Sequence, residues 1–273
     1  MKQWYETLFE NYSRKYDSES FTQGTIGESD FIEQEIGFNK SIKILDIGCG
    51  TGHERFLNKK ELIRKRLAKY SRKALRMIPE IYKPRILDIG CGSGVSTLEL
   101  ARLTNGEIIG LDIDQNALDR LNKKIEKSGL SDRFKILNCS LLDMDFPDES
   151  FDIVWSEGSI FVIGFKKGLQ EWKRLIRPGG FIVVHDEIGD VEEKLEQISN
   201  CGYELLGYFV LDTDVWWNEY FSPLEKLVNE TRAKYADELE IHEALNQAQS
   251  EMDFFKKFPE RNRSVCFVMK RKA

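Results

Sequence analysis

No apolar run in the 273 residues approaches the roughly 20 needed to span a bilayer. The opening Met1-Lys2-Gln3-Trp4-Tyr5-Glu6 has no apolar core of the kind a secretory signal carries. Cysteine is scarce and scattered: five residues, Cys49, Cys91, Cys139, Cys201 and Cys266, with no Cys-x-x-Cys and no Cys/His cluster. That argues against both a disulfide framework and a zinc site, leaves His185-Asp186-Glu187 as the one opening for another metal, and makes a reducing cytoplasm the expected location. An excess of basic charge is also missing. Acidic residues number 46 and basic ones 40, so the net charge is −6 and a wholly basic nucleic-acid surface is disfavoured.

What remains is globular in character, 41% hydrophobic and 11% aromatic. The length allows one large domain or one domain with an appendage. From residue 85 onward, short Ile-, Val-, Leu- and Phe-rich runs alternate with helical stretches. Strands are expected at 85–89, 107–112, 134–138, 151–156 and 181–185. Helices are expected at 115–128, with Leu118, Leu121 and Ile125 on one face, and at 165–177, with Leu169, Trp172 and Ile176. Such alternation predicts an α/β, doubly wound, mostly parallel sheet covered on both faces. Two further strands, at 203–211 and 264–270, bracket about fifty polar, helix-prone residues and suggest an antiparallel edge interrupted by an insertion. The insertion, 212–262, opens with Trp216, Trp217, Tyr220 and Phe221, which serve either as a substrate lid or as its anchors to the core.

Residues 55–85 contain twelve Lys or Arg against Glu61 and Glu80, a local charge of +10. Within them Ile63, Leu67, Tyr70, Ala74 and Met77 are spaced as one stripe of an amphipathic helix. The basic face is either solvated or a docking surface for an anionic partner.

The strongest chemical signal is Ile86-Leu87-Asp88-Ile89-Gly90-Cys91-Gly92-Ser93-Gly94, between a strand and a helix. Glycines at this turn permit a tight bend and bring a ligand against bare backbone. The helix behind them offers free N–H groups. Asp112 follows at the tip of the next strand, where a carboxylate can accept both ribose hydroxyl protons. The spacing G-x-G-x-G, preceded by Asp88, differs from the dinucleotide pattern. An acid beside the turn repels a pyrophosphate and attracts an ammonium group. A ligand with a ribose at one end and an amino acid at the other, such as S-adenosylmethionine, fits both acids.

On these residues the chain from about 57 to 273 resembles a class I S-adenosylmethionine-dependent methyltransferase of the small-molecule type. Supporting matches are Cys139-Ser140-Leu141 with Asp145-Phe146-Pro147, the run Phe151 to Gly158, and Leu175-Ile176-Arg177-Pro178-Gly179-Gly180-Phe181. The resemblance implies a Rossmann-like sheet of seven strands, mostly parallel, with an antiparallel C-terminal strand. It implies cofactor contacts from Asp88, Gly90, Gly92, Gly94, Asp112, Ile113, Ser140, Leu141 and Ser156. It also implies a cleft faced by Glu157, His185 and Glu187, the candidate bases if the acceptor must lose a proton, with Glu157 and His185 foremost. His185 also reads as an ordinary hydrogen-bonded histidine, and Glu157 as a helix cap or a ligand for the cofactor's methionine end. The stretch Trp155 to Trp172 with the later aromatic group resembles one subgroup of bacterial and archaeal methyltransferases, without indicating a substrate.

A second glycine motif, Ile44-Leu45-Asp46-Ile47-Gly48-Cys49-Gly50-Thr51-Gly52, precedes the first by forty-two residues. No acid-tipped second strand follows it, so residues 1–54 read as a segment with a degenerate methyltransferase motif and 55–273 as the methyltransferase domain. A structural role for this segment, and least of all a second cofactor site, are the alternatives. The expected function is methyl transfer to a small molecule. The alternative is a non-catalytic S-adenosylmethionine-binding module that signals through a partner. No feature specifies the oligomeric state, and a homodimer stays open.

Overall fold

The computed structural model describes residues 52–235 and 239–272. The described residues belong to one compact unit, Gly50–Ala273. The earlier glycine motif, apart from Gly52, lies outside the described residues.

Seven strands form one sheet: β1 (Arg85–Ile89), β2 (Glu107–Asp112), β3 (Phe134–Asn138), β4 (Phe151–Glu157), β5 (Ile176–Glu187), β6 (Tyr203–Leu211) and β7 (Ser264–Arg271). Their order is β3-β2-β1-β4-β5-β7-β6. β1 to β5 pair in parallel, and β7 runs antiparallel to β5 and β6 on either side. This is the mostly parallel sheet with an antiparallel last strand that the sequence implied. Strand side chains alternate between faces with period two, and the core divides accordingly. Leu87, Ile89, Ile109, Leu111, Val154 and Val184 pack on one face against α5 (Phe165–Trp172) and α6 (Val191–Asn200). Ile86, Ile108, Ile153, Trp155 and Val183 pack on the other. There they meet α2 (Ala68–Leu75) and α3 (Val95–Leu103) through Ala74, Leu100 and Ala101. Burying each such aliphatic side chain contributes roughly 1.5–3 kcal/mol.

Two sequence expectations shift. The helix expected at 165–177 ends at Trp172, a 3-10 turn covers Lys173–Leu175, and β5 already begins at Ile176. The reason is pairing: Ile176 is fully buried and opposes Phe151 across the sheet, so the chain joins β4 before the Pro178-Gly179 turn rather than after it. The amphipathic stretch at 55–85 is two helices, α1 (Gly52–Lys65) and α2, broken at Arg66-Leu67. Its stripe serves two cores. Ile63 packs with the insertion, whereas Ala74 and Ile78 pack on the sheet.

The insertion comprises a single turn Thr213–Trp216, a π-helical turn Trp217–Phe221, α7 (Ser222–Lys234), α8 (Leu239–Lys257) and a short Pro259–Asn262 turn. With α1 it forms a helical cap whose own core holds Phe56, Ile63, Leu224, Val228, Leu245 and Met252. Much of the basic charge of α1 and α2 is paired rather than free: Lys60 with Glu251, Lys69 with Glu219, Arg72 with Glu99. No helix among the described residues is long and apolar enough to cross a membrane.

Candidate active site

Register places the chemistry. β1 and β2 pair Asp88 with Gly110, and β4 and β5 pair Glu157 with His185. Counting by twos from the core residues Ile86, Ile108, Trp155 and Val183 puts Asp88, Asp112, Glu157 and His185 on the same face, toward the C-terminal ends of parallel strands. Ligands of open α/β sheets bind at that edge.

The turn after β1 is held to β2, because the Gly90 and Cys91 N–H groups both donate to the Leu111 carbonyl. Gly90, Gly92 and Gly94 all have positive φ (78°, 51° and 85°), a conformation that favours glycine. At Gly90 a Cβ would also lie 2.6 Å from Ser159 Cβ. Asp112 is fastened beside this turn: Oδ2 accepts from the Gly92 N–H at 2.8 Å and Oδ1 from the Asp114 N–H at 2.9 Å. Lys124, on α4 (Gln115–Lys127), donates to the Ser93 carbonyl at 2.7 Å and pairs with Glu61, linking α1 to the turn. Burial holds the Lys124 ammonium below its ordinary pKa.

Asp88 is only 2% exposed. Its Oδ2 accepts from Thr97 Oγ1 at 2.6 Å. Burial pushes its pKa up to about 7, opposed by the Thr97 hydrogen bond and reinforced by the negative charges of Glu157 and Asp112. The two acids singled out in the sequence therefore stand within electrostatic reach of each other.

The remaining cofactor candidates fall into two groups. Ile113 is 73% exposed immediately beyond Asp112, an apolar side chain open to a flat ring. Ser140 and Leu141 follow β3, and the Cys139 N–H donates to the Asp112 carbonyl, so this segment sits beside the same strand tip. Ser156 is different. It is fully buried, and its hydroxyl pairs with that of Ser159 at 2.7 Å, while Ser159 donates to the Ile89 carbonyl at 2.6 Å. Its side chain thus braces the glycine turn through Ser159.

Glu157 accepts three hydrogen bonds: Oε1 from Ser71 Oγ (2.7 Å) and Trp155 Nε1 (2.8 Å), Oε2 from Ser96 Oγ (2.7 Å). These donors come from α2, β4 and α3, elements far apart in sequence, and no sequence signal singled out Ser71, Ser96 or Thr97. Glu157 exerts its charge on both Asp88 and His185, so it lies near both. His185 is half-buried, with its ring stacked on Trp216 at a centroid distance of 6.0 Å. Its Nε2 is 2.8 Å from Ser264 Oγ, which also accepts from Trp216 Nε1 at 3.0 Å. Burial lowers the His185 pKa and favours the neutral ring, against the pull of Glu157 and Asp186.

Beyond these groups opens a cavity of about 500 Å³. Glu157, His185 and Glu187 line it from the sheet and Ser96 from α3; Trp216, Tyr220 and Phe221 line it from the insertion. The aromatic cluster divides between the cap and the cavity. Trp217 and Phe221 pack on Phe255 inside the cap, while Trp216 and Tyr220 turn toward the cavity. No group of three or more potential metal ligands occurs among the described residues. Asp186, next to His185, is paired with Lys194 at 2.7 Å.

The residues at the strand tips suit S-adenosylmethionine. A backbone turn without side chains, an anchored carboxylate for a ribose, an exposed apolar neighbour for a base, and a buried acid for an ammonium occur in sequence along one edge.

Comparison with known proteins agrees. Residues 86–180 match a family model described as a methyltransferase domain. A sterol 24-C-methyltransferase of Gibberella zeae is 33% identical over 249 residues, 76% of this chain and 54% of that protein. An uncharacterized protein of Haemophilus influenzae is 31% identical over 105 residues, 37% of this chain and 42% of that one. The chain thus spans about half the length of these relatives. Among solved structures, an S-adenosylmethionine-dependent methyltransferase of Geobacter sulfurreducens bound to S-adenosylhomocysteine superposes with a TM-score of 0.61 at 18% identity, covering 84% of this chain and all of that one. The [4+2]-cyclase SpnF gives the same TM-score and identity over 76% of this chain and 82% of its own. The methyltransferase-domain match over 86–180 lies on this sheet order, a fold the chain shares with the solved S-adenosylmethionine-dependent methyltransferase.

Proposed function

We propose that this protein transfers the methyl group of S-adenosylmethionine to a small molecule held in the cavity beneath the helical cap. The observation that carries this reading is Asp112, fixed by two backbone N–H groups at the tip of β2 against the glycine turn. Bound there, the cofactor supplies a sulfonium methyl that needs no further activation as a leaving group. The chain's own residues bind and orient. Asp112 receives the ribose, Ile113 with Ser140 and Leu141 borders the adenine, and Asp88 attracts the ammonium of the methionine end. Gly90, Gly92 and Gly94 let the ligand approach the backbone. Ser156 acts through Ser159 as a positioning residue for the turn.

The insertion at 212–262 serves as the lid of the acceptor site. Trp216, Tyr220 and Phe221 close the cavity over the strand tips and keep water from the reacting atoms. Holding two reactants in line contributes several kcal/mol to such a transfer, up to about 7–11 in the best model systems. Glu157 and His185 are the groups available to take a proton from the acceptor. The neutral ring favoured at His185 is the form in which an imidazole can accept one.

Calorimetry tests the reading. S-adenosylmethionine and S-adenosylhomocysteine should bind, nicotinamide dinucleotides should not, and Asp112→Ala should lower affinity at least about tenfold. Release of S-adenosylhomocysteine on adding a metabolite extract would separate an enzyme from a silent binding module. Absence of any nucleoside binding at about millimolar concentration, where even a weak site registers, would sink the reading.

A further inference from the structure

The charges around the cavity show which kind of acceptor it suits. Several lining charges are already spoken for: Lys60 pairs with Glu251, Arg263 with Asp212, and Asp186 with Lys194. Among the described residues no cation pairs with Glu157. Its three partners are two hydroxyls and an indole N–H, all neutral. Each carboxylate oxygen can accept about two hydrogen bonds. Oε1 has two and Oε2 has one, so Oε2 retains one accepting position. A carboxylate in a partly desolvated cavity without a counter-ion favours a positive ligand, since buried charge is costly unless it is matched. Of the groups on which its charge acts, Asp88 and Cys266 are acids and the neutral ring is favoured at His185; Lys73, which also acts on Cys266, makes no ion pair with Glu157 among the described residues. On the cap side, Arg64 of α1 and Arg261 after α8 also line the cavity, and neither guanidinium is in an ion pair among the described residues.

Resting on the function proposed above, we infer that the acceptor is an amine that also carries an anionic group: the nitrogen is received by Glu157 Oε2, and the anion by Arg64 and Arg261 at the cap. The volume of about 500 Å³ and the Trp216–Phe221 wall leave room for an apolar body between the two ends. In the reaction, the ammonium of the acceptor gives a proton to Glu157 Oε2. The freed nitrogen lone pair attacks the sulfonium methyl carbon, the carbon–sulfur bond breaks, and its electron pair stays on sulfur as a neutral thioether. Nitrogen keeps the positive charge as a methylammonium, and Glu157 returns its proton to solvent.

Three probes that share a phenyl body test this on the full chain loaded with S-adenosylhomocysteine: phenethylamine (cation only), phenylalanine (both charges) and 3-phenylpropionate (anion only). Binding is read by calorimetry or ligand-observed NMR up to about 10 mM, a range that captures weak fragments. Phenylalanine should bind best and 3-phenylpropionate worst. Glu157→Gln should weaken both amines by at least about tenfold and leave 3-phenylpropionate within about twofold. Arg64→Gln with Arg261→Gln should weaken phenylalanine and spare phenethylamine. The inference is overturned if the carboxylate probe equals or exceeds phenethylamine, if none of the three binds, or if Glu157→Gln has a smaller effect on the amines. The order of affinities in the unmodified protein decides even if a variant fails to fold. Failure of S-adenosylhomocysteine itself to bind would instead remove the function on which the inference rests.

Discussion

Thr97 Oγ1 donates to Asp88 Oδ2 at 2.6 Å in a site where the carboxyl is almost wholly enclosed. This hydroxyl, on α3, is the one side-chain donor among the described residues to an acid that burial has pushed up to about 7. This pairing gives the protein a carboxyl poised between its two forms at neutral pH.

Cofactor affinity should therefore depend on pH. An ammonium group favours ionised Asp88, so binding must displace a proton wherever the carboxyl is protonated. Affinity should rise as pH rises through about 7 and level off above it, with proton release measurable by calorimetry in two buffers. Asp88→Asn should weaken binding and flatten that profile. A profile unchanged by the substitution would assign the proton to another group.

The same acid should cost stability. Its folded pKa, about 7, lies above the ordinary 3.8, so between these values the folded chain holds a proton that the unfolded chain releases. The contribution is most favourable at the acid end, is lost as pH rises through this window, and stays lost above it. Asp88→Asn should stabilise the ligand-free protein at pH 8 by up to about 4 kcal/mol and change little near pH 4. Denaturant melts at both pH values check the sign.

Gly90→Ala should destabilise by about 1–3 kcal/mol, because φ is 78° and the new Cβ would stand 2.6 Å from Ser159 Cβ. Adding Ser159→Gly removes the clash and not the backbone strain, so it should restore only part of the loss. Full restoration, read by urea melts, would mean that the positive φ costs nothing.

His185 should titrate below its ordinary value of 6.5 because burial disfavours the imidazolium. Below that ordinary value the unfolded chain takes up a proton that the folded chain resists, so stability should fall on acidification. His185→Gln should lessen this fall between about pH 6.5 and 5. The ring's own midpoint, followed by NMR, is the direct check.

Lys124→Met should loosen the connection between Glu61 and the Ser93 carbonyl. Cofactor affinity should drop by roughly three- to thirtyfold, in keeping with loss of a charge-assisted hydrogen bond that orders the turn. Calorimetry with S-adenosylhomocysteine would read it, and an unchanged affinity would show that α1 does not help to set the turn.

The sequence by itself determined where the strands lie and the glycine turn with its two acids. These are local matters: hydrophobic period, glycine's freedom at positive φ, and carboxylates placed at strand ends. It also marked the insertion and its aromatic start. Only the tertiary structure decided what surrounds Glu157, because Ser71, Ser96 and Trp155 come from three elements that meet only when α2 and α3 pack on the sheet. It likewise showed that Ser156 faces inward to Ser159, that β5 starts at Ile176, and that α1 leaves the sheet to join the insertion's core. Such outcomes depend on which surfaces are buried together, and contacts between residues distant in sequence leave no periodic trace along the chain.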